Sequence, residues 1–302
     1  MGYGAEKEKV EKKARKLKVL LFCLVAVGVL IAVFVAQAFS METWKYNFKL
    51  PKIGKRATGE LRIHLLDEEE CGATVIELPD GKILLIDGGK EGGESEKSLL
   101  RYLNALGVNR IDCLVVTSAE ENRCGGLDKV LKYKEVERVY LPEIAPVSGS
   151  AYAKFYATLI KEKCEREYFS RDTHLLPERE EYGYSFTCLY PCQADEDGAD
   201  GNENTEREDS AFYLTYAGMN FLFSALDSET ETLLARDDGL GLFQNRGVKL
   251  QHTDFIKPLS KTYQPSKGFL GYLGAQQLVW QESGHKIVSV DADGKATLTA
   301  LA

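Results

Sequence analysis

The longest apolar stretch of the chain lies near its N-terminus. Residues 19–36, VLLFCLVAVGVLIAVFVA, include no charged or strongly polar side chain, and the stretch continues to residue 39 with only Gln37 interrupting it. A helix needs about 20 apolar residues to cross the hydrocarbon core of a bilayer. The pattern therefore predicts a transmembrane anchor over residues 19–39.

Basic residues on both sides of this stretch indicate its orientation. Seven Lys/Arg lie in the tail of residues 1–18, and five more lie in the Lys-rich linker over residues 40–58. The larger number predicts a cytoplasmic tail, so the rest of a single-pass cell-membrane protein is expected outside the cytoplasm. The alternative is a protein secreted after cleavage near Ala38, although the apolar region of a signal peptide is usually shorter, about 7–15 residues.

Beyond the linker, apolar positions alternate between the period of strands and the period of helices. The predicted strands cover residues 60–66, 73–78, 82–86, 110–117, 136–142, 184–190, 248–251, 276–280, 286–290 and 296–300, with a hairpin over 210–226. The predicted helices cover residues 95–107, 127–135, 151–165, 228–236 and 265–273. Ser228 is the expected N-cap of the fourth helix, with Glu231 as its capping-box partner. Helices interleaved with hairpins are typical of a mixed-sheet sandwich covered by helices.

Charge is distributed unevenly along the chain. Residues 1–40 carry seven Lys/Arg and three Glu, and this net +4 leaves −12 to the remainder of a chain whose total is −8. An acidic domain does not offer the basic track that a nucleic-acid backbone needs, so a nucleic-acid partner is not expected. The seven cysteines show neither a C-x-x-C pair nor zinc-ribbon spacing, which argues against a structural zinc site.

The stretch DCLVVTSAEENRCGGLDKVL, residues 112–131, has the outline of a strand, a functional loop and a helix start. Its apolar run stops at residue 116, and Gly125 and Gly126 precede the helical pattern. Between them lie carboxylates and a guanidinium, but no histidine.

Two successive segments of the chain resemble the metallo-β-lactamase fold. They are IHLLDEEECGATVIELPDGKILLIDGG and, after it, LLRYLNALGVNRIDCLVVTSAEENRCGGLDKVL. Within that family they are most similar to the extracytoplasmic hydrolase domain of ComEC-type DNA-uptake (competence) proteins. The likeness runs from about Leu61 to Leu298. It implies an α/β (α+β) fold, a four-layer αββα sandwich over residues 59–302, and an ancestry among metal-dependent hydrolases.

The family's metal motif, T-H-x-H-x-D-H, follows the buried strand and is degenerate here. Matched residue by residue, it falls on Thr117, Ser118, Glu120, Asn122 and Arg123. Imidazoles and carboxylates hold the ions in that motif, and a bridging water becomes the nucleophile. The resemblance therefore implies a scaffold of a metal site without most of its ligands.

The family's other ligand positions are also changed. The position of its bridging carboxylate falls on Leu226, and Asp227 follows one residue later, where the end of a strand would turn it away. One imidazole, His252, remains of the family's late histidine pair. Asp87 matches the family, in which it is a turn and supporting residue more than a metal ligand.

Arg123 makes metal binding at this loop unfavourable. A fixed cation about 4 Å from a divalent ion is repelled by several kcal/mol even at an effective dielectric constant of about 20. We therefore expect no metal cofactor, and we expect Arg123 to pair with Glu120 or Glu121. The alternative is Zn or Mn in a rearranged, oxygen-rich site that would add Asp254 and His252 to these carboxylates.

Cys71 and Cys124 both fall in loops that border the family's cleft. Free thiols are the favoured interpretation. A disulfide between the two would close the vacated site in an oxidising compartment, and a nucleophilic cysteine is a third alternative, although no histidine base is evident beside either.

These observations predict a catalytically silent pseudoenzyme that binds or scaffolds an unidentified protein or small anionic ligand outside the cytoplasm. A ComEC-like hydrolase of phosphodiester or related bonds, using a rearranged site, is the alternative. A sensor in which Arg123 clamps an anion is a third hypothesis.

Overall fold

The computed structural model describes residues 2–48, 50–66, 72–170, 173–176, 182–190, 209–235, 253–258, 260, 262–274, 277–278 and 284–301. Contacts divide the chain into two compact units, Met1–Lys49 and Leu50–Ala302. The finer subdivision at residues 18, 39 and 58 stays a prediction.

The first unit is dominated by one long helix, α1, which covers Gly2–Trp44. At 1.5 Å per residue its 43 residues extend about 65 Å. An 18-residue window within Lys12–Phe34 has a mean hydropathy of 2.9, and none of that window is buried among the described residues. This helix is long and apolar enough to cross a membrane, as the sequence pattern predicts.

The second unit contains thirteen strands and six helices within the described residues. The strands are β1 Leu61–Leu65, β2 Thr74–Glu77, β3 Ile83–Ile86, β4 Arg110–Val115, β5 Glu135–Leu141, β6 Glu165–Tyr168, β7 Tyr184–Tyr190, β8 Ser210–Tyr216, β9 Met219–Ala225, β10 Phe255–Lys257, β11 Gln277–Leu278, β12 Lys286–Val290 and β13 Ala296–Ala300. The helices are α2 Gly93–Ala105, α3 Glu121–Cys124, α4 Leu127–Tyr133, α5 Ala151–Glu162, α6 Ser228–Leu234 and α7 Lys267–Leu273.

The strands form two mixed sheets. The larger sheet has eight strands in the order β13-β12-β1-β2-β3-β4-β5-β6, antiparallel from β13 to β3 and parallel from β3 to β6. The smaller sheet has five strands in the order β11-β10-β9-β8-β7. In it β7, β8 and β9 are antiparallel, while β10 runs parallel to both of its neighbours.

The two sheets face each other across a common apolar core. Alternate residues of the larger sheet, such as Ile63 and Val115, join Phe186, Phe212 and Phe223 of the smaller sheet in one buried cluster. Burying an aliphatic or aromatic side chain of this kind contributes about 1.5–3 kcal/mol each, so this interface holds the domain together.

Helices cover the outer faces of both sheets. On the smaller sheet, Phe269 and Leu273 of α7 pack with Tyr213, Leu222 and Ile256 in a second buried cluster. On the larger sheet, α2 is joined to β1 by a hydrogen bond of 2.9 Å between the Tyr102 hydroxyl and Nδ1 of His64. The four layers are therefore helix, sheet, sheet, helix, as predicted.

Most predicted elements are present, with a few differences. The short elements α3, β6 and β10 were missed, because fewer than five residues carry too little periodicity to be recognised. The predicted strand over residues 248–251 lies outside the described residues. Helix α6 is capped by Asp227 rather than Ser228: Oδ1 of Asp227 accepts a hydrogen bond of 2.7 Å from the backbone N–H of Thr230.

Candidate functional site

The candidate site lies at one edge of the sandwich, where strands of both sheets end or begin. Strands β3 and β4 are parallel neighbours, so the segments after their carboxyl ends, at Asp87 and Thr117, lie side by side. Ser210, at the start of β8, donates a hydrogen bond of 3.0 Å from its hydroxyl to the carbonyl of Thr117. The edge therefore joins the two sheets at the position that the sequence predicted for a cleft.

Asp87 is a structural centre of this edge. Its backbone has a φ of 60°, in the left-handed region that Asp tolerates better than most residues. Its Oδ1 accepts a hydrogen bond of 2.8 Å from the backbone N–H of Thr117, and its Oδ2 accepts one of 2.8 Å from the Thr117 hydroxyl. Asp87 therefore ties β3 to β4, which agrees with the turn and supporting role inferred from the resemblance.

The guanidinium of Arg123 lies against this carboxylate. Nη1 of Arg123 is 3.1 Å from Oδ2 of Asp87 and also donates a hydrogen bond of 3.0 Å to the Thr117 hydroxyl. The Arg123 side chain is 2% exposed and that of Asp87 is 1% exposed. A buried pair of this kind is held by complementary charge and by hydrogen bonds together.

Glu120 supplies a second, weaker contact to the same cation. Its Oε2 lies 3.5 Å from Nε of Arg123, and its side chain is 46% exposed. The predicted pairing with Glu120 is confirmed. The closer pairing with Asp87 was missed, because 36 residues separate the two in sequence and only the parallel β3–β4 pair brings them together.

Close backbone contacts position the loop that carries Arg123. A Cβ atom on Gly125 would lie 2.2 Å from the backbone nitrogen of Glu91 and 2.5 Å from the carbonyl oxygen of Glu121. The N–H of Gly88 also donates a hydrogen bond of 2.6 Å to the carbonyl of Arg123. Glycine at position 125 therefore permits the approach that presses this loop onto the end of β3.

The side-chain oxygens of Ser118 and Asn122, at positions where the resemblance implies metal ligands, are both buried. The hydroxyl of Ser118 is buried and accepts a hydrogen bond of 3.0 Å from the backbone N–H of Glu120. Oδ1 of Asn122 is buried, and no hydrogen-bond partner for it lies among the described residues. Neutral oxygens are weak ligands for a transition metal, and the Ser118 oxygen is already engaged.

Cys124 is a buried free thiol in this structure. Its Sγ donates a hydrogen bond of 3.2 Å to the carbonyl of Glu120. Burial, and to a smaller extent the nearby Asp87 carboxylate, raise the pKa of the thiol to about 12. A neutral thiol is a poor nucleophile. Cys71 lies outside the described residues, and Cys124 does not form the disulfide that was the alternative to free thiols.

The opposite side of the edge belongs to the smaller sheet. Leu226 is buried in the cluster between that sheet and α7, while Asp227 is exposed and caps α6. Asp209, which precedes β8, accepts hydrogen bonds from the Thr230 hydroxyl and from the N–H of Asp227. Burial raises the pKa of Asp209, and the negative charge of Asp227 adds to this effect.

Glu231 is a buried carboxyl on α6 that the sequence analysis assigned to a capping box. It is fully buried, and its Oε2 accepts a hydrogen bond of 2.9 Å from the backbone N–H of Ser266. The Tyr263 hydroxyl lies close to the carboxyl and, with the Ser266 N–H, favours its ionised form, while no hydrogen bond of good geometry reaches Oε1 from the described residues. Burial raises the pKa of Glu231.

The described histidines lie away from this edge. His64 is fully buried on the outer face of the larger sheet, where its Nε2 is 2.9 Å from Oε1 of Glu77. His174 is exposed near Thr187, and the ring of His285 contacts that of Tyr102. His252 lies outside the described residues. The prediction that His64 has a structural role is therefore consistent with its contacts.

The residues of the described edge do not fit the divalent metal that the resemblance implies. No group of three His, Cys, Asp or Glu side chains in the described part of the chain is arranged to hold a metal ion. Asp254, a member of the alternative oxygen-rich set, instead accepts a hydrogen bond of 2.8 Å from the N–H of Asn220. The carboxylate of Asp87 is neutralised by Arg123.

Comparisons with known proteins give structural likenesses only. No protein-family model matches the chain, and no curated protein sequence does. Similar solved structures include the CmlA beta-hydroxylase E377D mutant, with a TM-score of 0.37 and 12% identity. The match covers 67% of this chain and 35% of CmlA, so this chain spans about a third of that protein. They also include a metallo-beta-lactamase with a HARLDQ motif from Cronobacter sakazakii, with a TM-score of 0.41 and 12% identity over 70% of this chain and 90% of that one.

A further similar structure is YhfI from Bacillus subtilis, a metallo-beta-lactamase fold protein. It has a TM-score of 0.41 and 11% identity over 72% of this chain and 84% of that one. Likenesses at these TM-scores and identities carry no argument about this chain. Its four-layer arrangement follows from its own strand order and buried clusters.

Proposed function

We propose that this chain is a membrane-anchored, extracytoplasmic pseudoenzyme, which binds or scaffolds a partner through a metallo-β-lactamase-like domain without hydrolytic chemistry. The single observation that carries the proposal is the buried ion pair of Arg123 and Asp87. The Arg123 side chain is 2% exposed, and its Nη1 lies 3.1 Å from Oδ2 of Asp87, at the edge where the two sheets meet.

The ion pair acts against metal-dependent hydrolysis in two ways. Arg123 occupies the loop with a guanidinium, which has no lone pair to offer a metal and which takes up the carboxylate of Asp87. Both oxygens of Asp87 also accept hydrogen bonds from Thr117, and Oδ2 accepts one from Arg123 as well. A metal would have to displace these contacts before it could activate a water molecule.

The same geometry disfavours an anion clamp at Arg123. An exposed guanidinium can bind an anion through paired hydrogen bonds, but this one is buried and its charge is compensated by Asp87 and Glu120. The partner, a protein or a small anionic ligand, is therefore proposed to contact the loops around the edge rather than Arg123. The acidic balance of the domain makes nucleic acid an unfavourable partner.

Metal analysis tests the proposal that this domain has no metal-dependent hydrolytic activity. Full-length protein purified with zinc and manganese is expected to hold less than stoichiometric metal, with no difference between the wild type and His252→Ala. The resemblance to ComEC-type domains makes a phosphodiester the substrate for a parallel assay, in which Arg123→Ala is the matched variant. Stoichiometric metal that depends on His252, with turnover that chelation abolishes, would replace the proposal with the ComEC-like hydrolase.

Membrane anchoring is supported by α1 and tested separately. The apolar window within Lys12–Phe34 is unburied among the described residues, which is unfavourable in water. The intact chain is expected to stay in the membrane after alkaline extraction, with the domain open to protease added from outside the cell. A mature protein that begins just after Ala38 would contradict the anchor and support secretion.

A further inference from the structure

The edges of the two sheets differ in how they are protected from pairing with another chain. Strand β6 is fully exposed and reads Glu-Arg-Glu-Tyr, and charges on an edge discourage strand addition. Strand β7 is covered on its outer side, where Leu175 donates a backbone hydrogen bond of 3.0 Å to Phe186. Strand β11 is described over two residues, Gln277 and Leu278.

Strand β13 has none of these protections. It reads Ala-Thr-Leu-Thr-Ala, contains neither charge nor proline, and is exposed from Thr297 to Ala300. Leu298 is 42% exposed, although it is a large apolar residue. Within the described residues, β13 is the end strand of the larger sheet and pairs only with β12. An uncharged edge of this kind is a template for another strand.

The register with β12 shows which backbone groups of β13 face outward. The N–H of Leu301 bonds to the carbonyl of His285, and the N–H of Asp291 bonds to the carbonyl of Lys295. Antiparallel ladders alternate between bonded and non-bonded pairs, so the odd-numbered residues of β13 bond to β12. Ala296, Leu298 and Ala300 therefore direct their N–H and C=O groups away from the sheet.

The sequence of β13 is a palindrome centred on Leu298, and we propose that two copies of this chain pair through this edge. In the antiparallel register with Leu298 opposite Leu298 of the second copy, the outward-facing residues of one strand meet those of the other. Ala296 faces Ala300, and each of the three bonded pairs exchanges two backbone hydrogen bonds. Such a contact has the two-fold symmetry of most homodimers.

Side chains agree with this register on both faces. Val288 and Val290, opposite Leu298 and Ala296 on β12, belong to the core between the sheets. The two Leu298 side chains would therefore meet on the face of that core. On the other face Thr297 lies opposite Thr299 of the second copy, a pairing that stabilises antiparallel strands.

The contact is small, so it depends on a high local concentration. Five residues from each copy bury far less than the roughly 1,600 Å² of a standard interface. Attachment of both copies to one membrane raises their effective concentration without a new contact, and in this respect the dimer rests on the anchoring proposed above. Vesicle flotation of the same samples measures anchoring independently of pairing.

Cross-linking of the full-length chain in vesicles tests the register. Across a non-bonded antiparallel pair the Cα atoms are about 4.5 Å apart, within the range of a disulfide. A mixture of Thr297→Cys and Thr299→Cys chains is therefore expected to form a covalent dimer on mild oxidation, joined at positions 297 and 299 by peptide mapping. In a dimer of either variant alone, the two new thiols lie two residues out of register. The amount of cross-linked dimer is therefore expected to stay at the level of the wild type.

A charge at the centre of the strand tests the pairing itself. Leu298→Lys would place two ammonium groups opposite each other and is expected to convert the dimer to monomer, while its unfolding midpoint stays that of the wild type because Leu298 is half exposed. Thr297→Ser is the matched conservative control and is expected to leave the dimer intact. Any of three results would overturn the proposal. The wild type could be monomeric in vesicles, the dimer could survive Leu298→Lys, or each cysteine variant alone could cross-link as much as the mixture does.

Discussion

The two sides of the candidate edge treat buried charge in opposite ways. On the side of the larger sheet, the carboxylate of Asp87 is paired with Arg123 and bonded to Thr117. On the side of the smaller sheet, the carboxyl of Glu231 is equally buried, but no cation pairs with it among the described residues. The first arrangement is held by two opposite charges, whereas in the second burial raises the pKa of the carboxyl and so disfavours its charged form.

This difference indicates where the protein is sensitive. A buried ion pair contributes little beyond a well-packed apolar pair, but removal of one partner leaves an uncompensated charge. A lone buried carboxyl is tolerated when it is protonated and becomes unfavourable when it ionises. We therefore expect the larger-sheet side to be sensitive to mutation and the smaller-sheet side to be sensitive to pH.

The largest effect is expected from Asp87→Asn. Asn tolerates the left-handed backbone of this position, so the substitution removes the charge and leaves the buried guanidinium of Arg123 with only the half-exposed Glu120 as counter-ion. We expect a loss of about 3–5 kcal/mol in the free energy of unfolding, measured by urea denaturation of the full chain in detergent. The double variant with Arg123→Met is expected to regain most of this loss. A stable Asp87→Asn single variant would show that the pair is not a structural centre.

A smaller effect is expected from Gly125→Ala, which tests backbone contact rather than charge. The new methyl group would meet the backbone of Glu91 and Glu121, and overpacking of this kind costs about 1–3 kcal/mol. The matched control is Gly268→Ala on α7, where a Cβ meets nothing within 4 Å. That control is expected to be neutral or stabilising by up to about 1 kcal/mol. Equal effects at both positions would contradict the close approach.

On the smaller-sheet side, Glu231→Gln is expected to stabilise the protein as pH rises. The pKa of Glu231 is raised in the folded state, so ionisation is no penalty below the unfolded value of about 4.5 and becomes one as pH rises through the folded value. The variant should match the wild type at pH 4 and exceed it at pH 7 by about 1 kcal/mol, the order of an unsatisfied buried polar group.

Unfolding of both proteins at a series of pH values measures this difference. The carboxyls of Asp209 and Asp227 lie near Glu231 and raise its pKa, so Asp227→Asn provides a control that changes the charge without changing the buried group. A stability difference between Glu231→Gln and wild type that does not grow with pH would mean that Glu231 is paired in the native state.

The smallest effect is expected from Glu120→Gln. The Glu120 side chain is 46% exposed and lies 3.5 Å from Nε of Arg123, and exposed ion pairs contribute about 0–1 kcal/mol. We expect a change below about 0.5 kcal/mol that becomes smaller still in high salt. A loss comparable to that of Asp87→Asn would make Glu120 the principal counter-ion and would reverse the assignment made from the distances.

The order and type of the longer elements could be predicted, because their periodicity is local. Strand β7 begins and ends where its alternating pattern does, and α2 ends just before Gly107, whose φ of 72° suits a helix stop. The shortest elements and the inward turn of Glu231 could not be predicted. Their positions depend on contacts with distant segments, such as the hydrogen bond from Ser266.

By itself, the sequence determined that the loop after β4 contains carboxylates and Arg123 but no histidine. It also determined an apolar helix long enough to cross a bilayer, since length and composition decide that property. Only the tertiary structure decided that Asp87 is the counter-ion of Arg123 and that Glu231 has none among the described residues. Charge pairing depends on distance and burial, and these arise when strands far apart in sequence become neighbours.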